Sequence, residues 1–264
     1  MYEFTYRKTD SVEEASAMFK ASGEARYLAG GMTLLPTMKQ RLAAPDVLID
    51  LNGIDALKGI EQHNNTLVIG ALTTHAQVAA SALVREKLPA LAALASVIGD
   101  PQVRNRGTLG GSVANSDPAA DYPAAVLGLN ATIQTDSRVL TADEFFTDIF
   151  ETALEEDELI TYISFPIPEK AAYEKFPNAA SGYAIVGVFV AVFDTETRVA
   201  VTGAAGNVFR AAAIEKALTT DFSSDKLQDL SMDSSDFNQD IHASAEYRAH
   251  LIGVMARRAV SSLQ

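Results

Sequence analysis

Ala29-Gly30-Gly31-Met32-Thr33 and Thr108-Leu109-Gly110-Gly111-Ser112 are the two stretches on which the reading of this chain turns. Each joins two residues without Cβ atoms to a following hydroxyl. Such a pair lets backbone approach another group closely, and the hydroxyl can cap a helix or bond an oxyanion. A short strand near Ala25 to Leu28 runs into the first pair. Thr33-Leu34-Leu35-Pro36 then opens a helix, with Thr33 as its expected cap and Pro36 tolerated in the first turn. Exposed amides and the positive end of a helix dipole would face an anion there. Two such loops can clamp one diphosphate.

The second pair lies in a different setting. Leu83 to Ile98 has Ala and Leu at helical spacing, interrupted by Pro89, and ends in Gly99-Asp100-Pro101. Pro101 to Tyr122 is dense in Gly, Pro, Asn and Asp with little periodicity, which predicts a long functional surface loop. Within it, Arg104 and Arg106 can complement phosphate charge, although arginine in a loop is more often simply solvated. Asp121 offers a carboxylate to ribityl or ribose hydroxyls; Asp117 beside Pro118 reads equally as a turn former. Ser112 and Asn115 supply neutral polar groups. No histidine lies near Ser112 in sequence to activate it, which argues against a serine hydrolase.

Outward from the two loops, Ser11-Val12-Glu13-Glu14 has the form of a capping box opening a helix that Gly23 can close. Val47 to Leu51 reads as a strand, Gly59 to Ile69 as two strands turning at Asn64-Asn65, and Ala131 to Thr135 and Leu159 to Phe165 as two more. Pro166-Ile167-Pro168 stops regular structure and sets the expected boundary between a domain of residues 1–167 and one of residues 168–264. Beyond it, Tyr183 to Phe193 is a long apolar strand or the start of a buried helix, and Val199 to Thr202 a further strand. Ser244 to Leu263 is a helix with Tyr247, Leu251, Val254 and Met255 on one face.

Composition narrows the chemistry. Of 264 residues, 21 are Lys or Arg and 34 Asp or Glu, so the net charge of −13 disfavours nucleic acid and anionic lipid. With no cysteine there is no disulfide, no thiolate nucleophile and no ordinary ligand set for an iron–sulfur cluster, which must then sit on a partner. No apolar run approaches the roughly 20 residues of a membrane span, and the first residues lack a signal-like segment, so a cytoplasmic location is expected. The signatures G-x-G-x-x-G, G-x-x-x-x-G-K-[ST] and G-x-S-x-G are absent. His63, His75, His242 and His250 have no metal-binding spacing and read as surface or capping residues, so neither a metal site nor a catalytic side chain is assigned.

Taken in order, Ala29-Gly30-Gly31, Thr33 to Pro36 and Val103-Arg104-Asn105-Arg106-Gly107-Thr108-Leu109-Gly110-Gly111 resemble the FAD-binding medium subunits of molybdenum hydroxylases. Similar subunits include carbon monoxide dehydrogenase medium chains and the flavin domain of xanthine dehydrogenase. The likeness extends through Tyr173 to Phe176, Gly182 to Val188, Thr202 to Ala205 and Ser244 to Arg248, nearly the whole chain. It implies an α+β protein: a PCMH/VAO-type FAD-binding domain of two α/β subdomains, then a C-terminal domain with a three-stranded antiparallel sheet and helices. By motif position, FAD would be lined by Leu28, Ala29, Gly30, Gly31, Met32, Thr33, Leu34 and Leu35, and by Thr108, Gly110, Gly111, Ser112, Asn115 and Asp121. Ile98, Ile160 and Lys175 match further contacts. Met32 replaces a His or Asn common in relatives, and Asn207 stands where they often carry His and Pro.

The resemblance further implies a division of labour. Substrate is oxidised on a large molybdenum-cofactor subunit, and electrons pass through a small iron–sulfur subunit to FAD on this chain and on to a quinone or NAD, in a dimer of heterotrimers. The flavin carries the redox chemistry. Two rivals remain at this point: a stand-alone flavin oxidoreductase of the same superfold, and a non-catalytic nucleotide-binding assembly protein. Chain length argues against the first, since a substrate-oxidising relative would need a larger cap.

Overall fold

Three parallel strands open the chain in the computed structural model, which describes residues 1–264. They are β1 (Thr5–Lys8), β2 (Ala25–Leu28) and β3 (Val47–Asp50), ordered β1-β3-β2, with helices α1 (Val12–Lys20) and α2 (Leu34–Lys39) in the two connections. Ser11 caps α1 by accepting from the Glu14 amide at 3.1 Å. The Glu14 carboxylate takes the Asp10 amide instead of closing the box on Ser11, and the helix ends at Ala21, short of Gly23. Ala15, Ala25 and Ile49 close a small core between α1 and the sheet.

The second subdomain is built on a five-stranded antiparallel sheet. Its elements run β4 (Ile60–His63), β5 (Thr66–Gly70), α3 (His75–Ala80), α4 (Ala82–Lys87), α5 (Pro89–Ser96), α6 (Pro101–Arg106), α7 (Leu109–Asn115) and α8 (Tyr122–Gly128). They continue through β6 (Thr132–Thr135), β7 (Val139–Thr141), α9 (Ala142–Phe145), the small hairpin β8 (Phe146–Asp148) and β9 (Glu151–Thr152), and β10 (Ile160–Pro166). The sheet order is β4-β5-β10-β6-β7. The strand and turn expectations hold here, but the expected loop from Pro101 to Tyr122 is largely helical. Asp100 caps α6 through Val103 N at 2.8 Å with Pro101 at the first helical position, and Thr108 caps α7 through Gly111 N at 3.1 Å. Helices of six and seven residues are too short to print an apolar period on their sequence.

The C-terminal part consists of β11 (Lys170–Pro177), β12 (Ala184–Val192), β13 (Thr197–Thr202), β14 (Phe209–Arg210), α10 (Ala212–Thr220) and α11 (Ala245–Ser261). Its antiparallel sheet has four strands in the order β11-β12-β13-β14, where the resemblance implied three. The extra strand is only Phe209–Arg210, paired with Val201 and Ala200. Two residues carry no alternation by which a strand is recognised.

This sheet is covered on both sides, which settles Tyr183 to Phe193 as a strand. Phe189, Ala191 and Ala200 point into the large core beneath α5 and α8, while Val186, Val188, Val190, Val199 and Val201 pack under α10 and α11. A strand buried on both faces loses its polar alternation and reads as one apolar run. The buried face of α11 is rotated from the expected one: Arg248, Leu251, Ile252, Met255 and Ala259 are buried, Val254 is half-buried and Tyr247 is exposed. Arg248 is drawn inward by the carbonyls of Ile185 and Gly203, at 2.8 and 2.9 Å, and by Asp240 at 2.7 Å.

Candidate functional site

A cleft of about 750 Å³ opens where the two N-terminal subdomains and the C-terminal sheet meet, and both glycine pairs line it. The first pair follows the end of β2. Asn52 holds the Ala29 carbonyl at 2.9 Å, and the Leu28 carbonyl accepts from Leu51. With those carbonyls fastened to the sheet side, no backbone amide from Ala29 through Leu34 donates to a protein acceptor. Gly31 is left-handed, at φ +74°, where a Cβ would be strained. Thr33 makes no capping bond, contrary to expectation, and of α2's first turn only the Leu34 amide is free, since Leu35 N bonds Gly31 O at 3.2 Å and Pro36 has no N–H. The donors belong to the loop and to Leu34. Unpaired amides converging on a cleft favour an anionic group such as a diphosphate.

The second pair is built in the opposite way. Leu109 N bonds Thr73 O at 3.0 Å, Gly110 N bonds Ala71 O at 2.8 Å, Gly111 N bonds the Thr108 hydroxyl and Ser112 N bonds Thr108 O. All four amides are engaged, two in stitching α7 to the segment between β5 and α3 and two on Thr108, the cap of α7. What this side offers the cleft is space and neutral polar side chains: neither the Ser112 hydroxyl nor the Asn115 amide has a protein partner among the side-chain hydrogen bonds. The symmetrical clamp expected from the sequence is therefore replaced by one donor loop facing one smooth wall.

The missing Cβ atoms also have unequal purposes. A Cβ on Gly30 would strike the Arg106 carbonyl, and one on Gly110 would stand 2.5 Å from the Ala71 Cβ. Those two glycines let protein backbone meet protein backbone. A Cβ on Gly111 would meet the Thr108 hydroxyl at 2.8 Å and Ala29 at 3.6 Å, in the gap between the loops.

All of the expected cofactor-lining residues face the cleft except Leu35 and Lys175. Leu35 turns its side chain beneath Gly31 and packs with Leu28, Met38 and Leu48. Lys175, on β11, is buried in an ion pair with Asp121 at 2.9 Å and also donates to the carbonyls of Val97 at 2.8 Å and Gly182 at 2.9 Å. Its donors are used inside the protein. Asp121 also accepts from the Tyr173 hydroxyl at 2.5 Å. Burial raises the Asp121 carboxyl above its ordinary value, against the pull of Lys175 and Tyr173. Asp121 thus joins the cleft wall to the C-terminal sheet.

Arg104 and Arg106 do not line the cleft. The Arg104 guanidinium caps the carbonyls of Ile98 and Gly99 at 2.9 Å each, because α6 turns it back toward the end of α5. Asp117 behaves as a turn former, accepting from Ala119 N at 2.9 Å. His75 departs from the surface role expected of the histidines: it is buried, lines the cleft and packs on Tyr122 at 5.3 Å between ring centroids. Burial lowers its pKa to about 4, with a smaller push from Arg104, so the imidazole is neutral near pH 7.

Other residues not assigned to the site also line the cleft. Gly182 and Tyr183, from a stretch that carries the resemblance, reach it from the C-terminal part; Phe150, at the tip of the β8–β9 hairpin, and Glu158, before β10, gave no sequence signal. Glu158 is held by Arg138 at 2.8 and 2.9 Å, Thr135 at 2.7 Å and Ser137 at 3.0 Å, which lowers its pKa to about 2, the Arg138 bonds being the largest cause. No cluster of His, Asp and Glu suited to a metal ion is present, and no helix is long and apolar enough to cross a membrane.

Residues 2–168 match the family described as the FAD binding domain in molybdopterin dehydrogenase, and residues 171–263 match the CO dehydrogenase flavoprotein C-terminal domain. The chain is 34% identical to the nicotine 6-hydroxylase medium subunit of Paenarthrobacter nicotinovorans, over 97% of this chain and 95% of that one. It is also 34% identical to the carbon monoxide dehydrogenase medium chain of Hydrogenophaga pseudoflava, over 98% and 96%. Among solved structures, the reconstituted CO dehydrogenase from Oligotropha carboxidovorans superposes with a TM-score of 0.91 at 34% identity, covering 98% of this chain and 97% of the other.

Proposed function

The chain belongs to the FAD-binding flavoprotein family of the molybdopterin dehydrogenases, and from that premise we propose that it is the electron-transfer subunit of a molybdenum hydroxylase. The observation that carries this reading is the run of unpaired amides from Ala29 through Leu34, opening on a cleft of about 750 Å³ whose opposite wall is Gly110, Gly111, Ser112 and Asn115. Those groups fit an extended cofactor with a diphosphate at its middle.

FAD, when bound, accepts electrons from iron–sulfur clusters on a small partner and releases them to an external acceptor. This chain's own residues bind and orient it. The amides of the first loop hold negative charge, and Arg26 is the one arginine that lines the cleft, its guanidinium donating to the Ala25 carbonyl. Ser112 and Asn115 supply exchangeable hydrogen bonds, and Ile98, Ile160 and Leu28 exclude water with apolar contact. No side chain here is given a proton-transfer role.

The assignment of individual contacts follows the lining: Leu28 to Leu34, Ile98, Thr108, Gly110 to Ser112, Asn115, Asp121 and Ile160 touch the cofactor, whereas Leu35 and Lys175 act from behind it. The FAD-binding unit comprises residues 1–167 and the C-terminal unit residues 168–264, a division supported by the break at Pro166-Ile167-Pro168. The absence of cysteine places every cluster on the partner. The assembly is a dimer of heterotrimers with a large molybdenum subunit that selects the substrate, it resides in the cytoplasm, and its acceptor is a quinone or NAD.

Titration of the purified apo chain with FAD tests the reading, with one FAD per chain expected from flavin fluorescence. Purification from the native host should bring along a cysteine-rich small chain and a large molybdenum-containing chain. A chain that binds no FAD and purifies alone overturns the assignment.

A further inference from the structure

His75 is a buried polar side chain that nothing in the protein satisfies. Its relative exposure is 4%, and Nδ1 is sealed from solvent with no hydrogen-bond partner. Its main chain is anchored, since His75 N donates to Gly107 O at 3.0 Å, and its ring is seated against Tyr122. Nε2 lies on the other edge of the ring, 2.5 Å from where a Cβ on Gly107 would stand. Gly107 is itself a cleft residue, and its Cα sits 2.9 Å from where a Cβ on Gly30 would be. The imidazole therefore reaches the seam at which the two glycine loops touch, and the lack of a side chain at Gly107 makes room for it.

The protonation state follows from the same surroundings. An imidazole walled in beside the Arg104 charge stays neutral and keeps a single N–H. A buried N–H without an acceptor is rarer than an unfilled acceptor, so the proton belongs on Nε2, at the cleft. We propose that His75 is a cofactor-binding residue whose Nε2–H donates to an acceptor oxygen of the bound cofactor at the seam of the two glycine loops. This rests on the assignment of FAD to the cleft. On this assignment Nδ1 stays an unfilled acceptor against the protein, and the N–H on Nε2 acquires its partner with the ligand.

The test uses the full chain, FAD and two variants. His75→Phe keeps an aromatic ring against Tyr122 and removes the donor; its FAD Kd should rise about five- to tenfold while the apo protein melts at or above the wild-type temperature. His75→Gln restores a donor and should recover part of that affinity. The imidazole 15N resonances of wild-type His75 give a reading that needs no variant, and Nε2 should shift as FAD is added. A wild-type Kd in His75→Phe, an affinity loss matched by an equal loss of apo stability, or an unmoved Nε2 resonance overturns the proposal. Wild-type protein that fails to bind FAD at all overturns the functional assignment instead.

Discussion

The two glycine pairs look alike in sequence and do different work. At Gly30-Gly31 the carbonyls are tied back and the amides are left free; at Gly110-Gly111 every amide is engaged in the fold. The first is a donor loop and the second a wall. Which of the two a Gly-Gly becomes depends on whether a neighbouring segment supplies acceptors. Ala71, Thr73 and Thr108 do so for the second pair, whereas Arg106 and Gly107 pack on Gly30 without accepting from the amides of the first.

The largest effect expected from this contrast concerns the scaffold behind the wall. Lys175→Met leaves Asp121 buried beside Tyr173 without its cation, which should cost about 3–5 kcal/mol of stability in thermal or denaturant melts. A melt matching wild type would mean that the wall does not depend on this ion pair. Next come the glycines themselves. Gly30→Ala and Gly110→Ala force a Cβ into backbone or Ala71 and should destabilise the apo protein by about 2–3 kcal/mol each. Gly111→Ala should cost the apo protein less, about 1 kcal/mol through the Thr108 cap, yet lower FAD affinity more than its stability. Equal losses of apo stability at all three positions would erase the distinction between packing and cleft glycines.

Glu158→Gln tests the floor of the cleft and should cost about 1–2 kcal/mol at neutral pH. The Glu158 carboxyl titrates near 2 in the folded chain against an ordinary 4.5, so its contribution is complete above pH 4.5 and disappears as the pH falls through about 2. The gap between wild type and Glu158→Gln should close over that window, and a gap that is flat with pH counts against the charged network. The smallest effects belong to the neutral groups of the wall. Ser112→Ala and Asn115→Ala should each weaken FAD binding by about 1 kcal/mol, near fivefold, with apo melting unchanged. If both bind FAD as wild type does, the second pair contributes shape alone.

Much of the site was legible because its residues are contiguous. The runs from Leu28 and from Thr108 each occupy one face of the cleft, so motif position located them together. Leu35 and Lys175 do not line the cleft, for a geometric reason: motif position does not fix the direction of a side chain. One turn of α2 carries Leu35 away from the cleft to Met38 and Leu48, and β11 aims Lys175 at Asp121. Arg104, a candidate phosphate partner by sequence though more often solvated, is turned by a short helix onto the carbonyls of Ile98 and Gly99. His75 and Glu158 were invisible as site residues, being single residues brought to the cleft from separate elements by long-range contacts.

Composition and local pattern alone determined that this chain holds no metal–thiolate centre, that strands alternate with helices through its first part, and that two Gly-Gly stretches mark places where backbone comes close. These are properties of residue type and near-neighbour spacing, so a linear reading suffices. Only the tertiary structure decided which glycine pair donates and which packs, that Asp121 and Lys175 join the cleft wall to the C-terminal sheet, and that a neutral histidine stands at the seam. Each of these depends on where an amide, a carboxylate or a ring finds its partner. That partner lies tens of residues away, across contacts that exist only once the sheets have assembled.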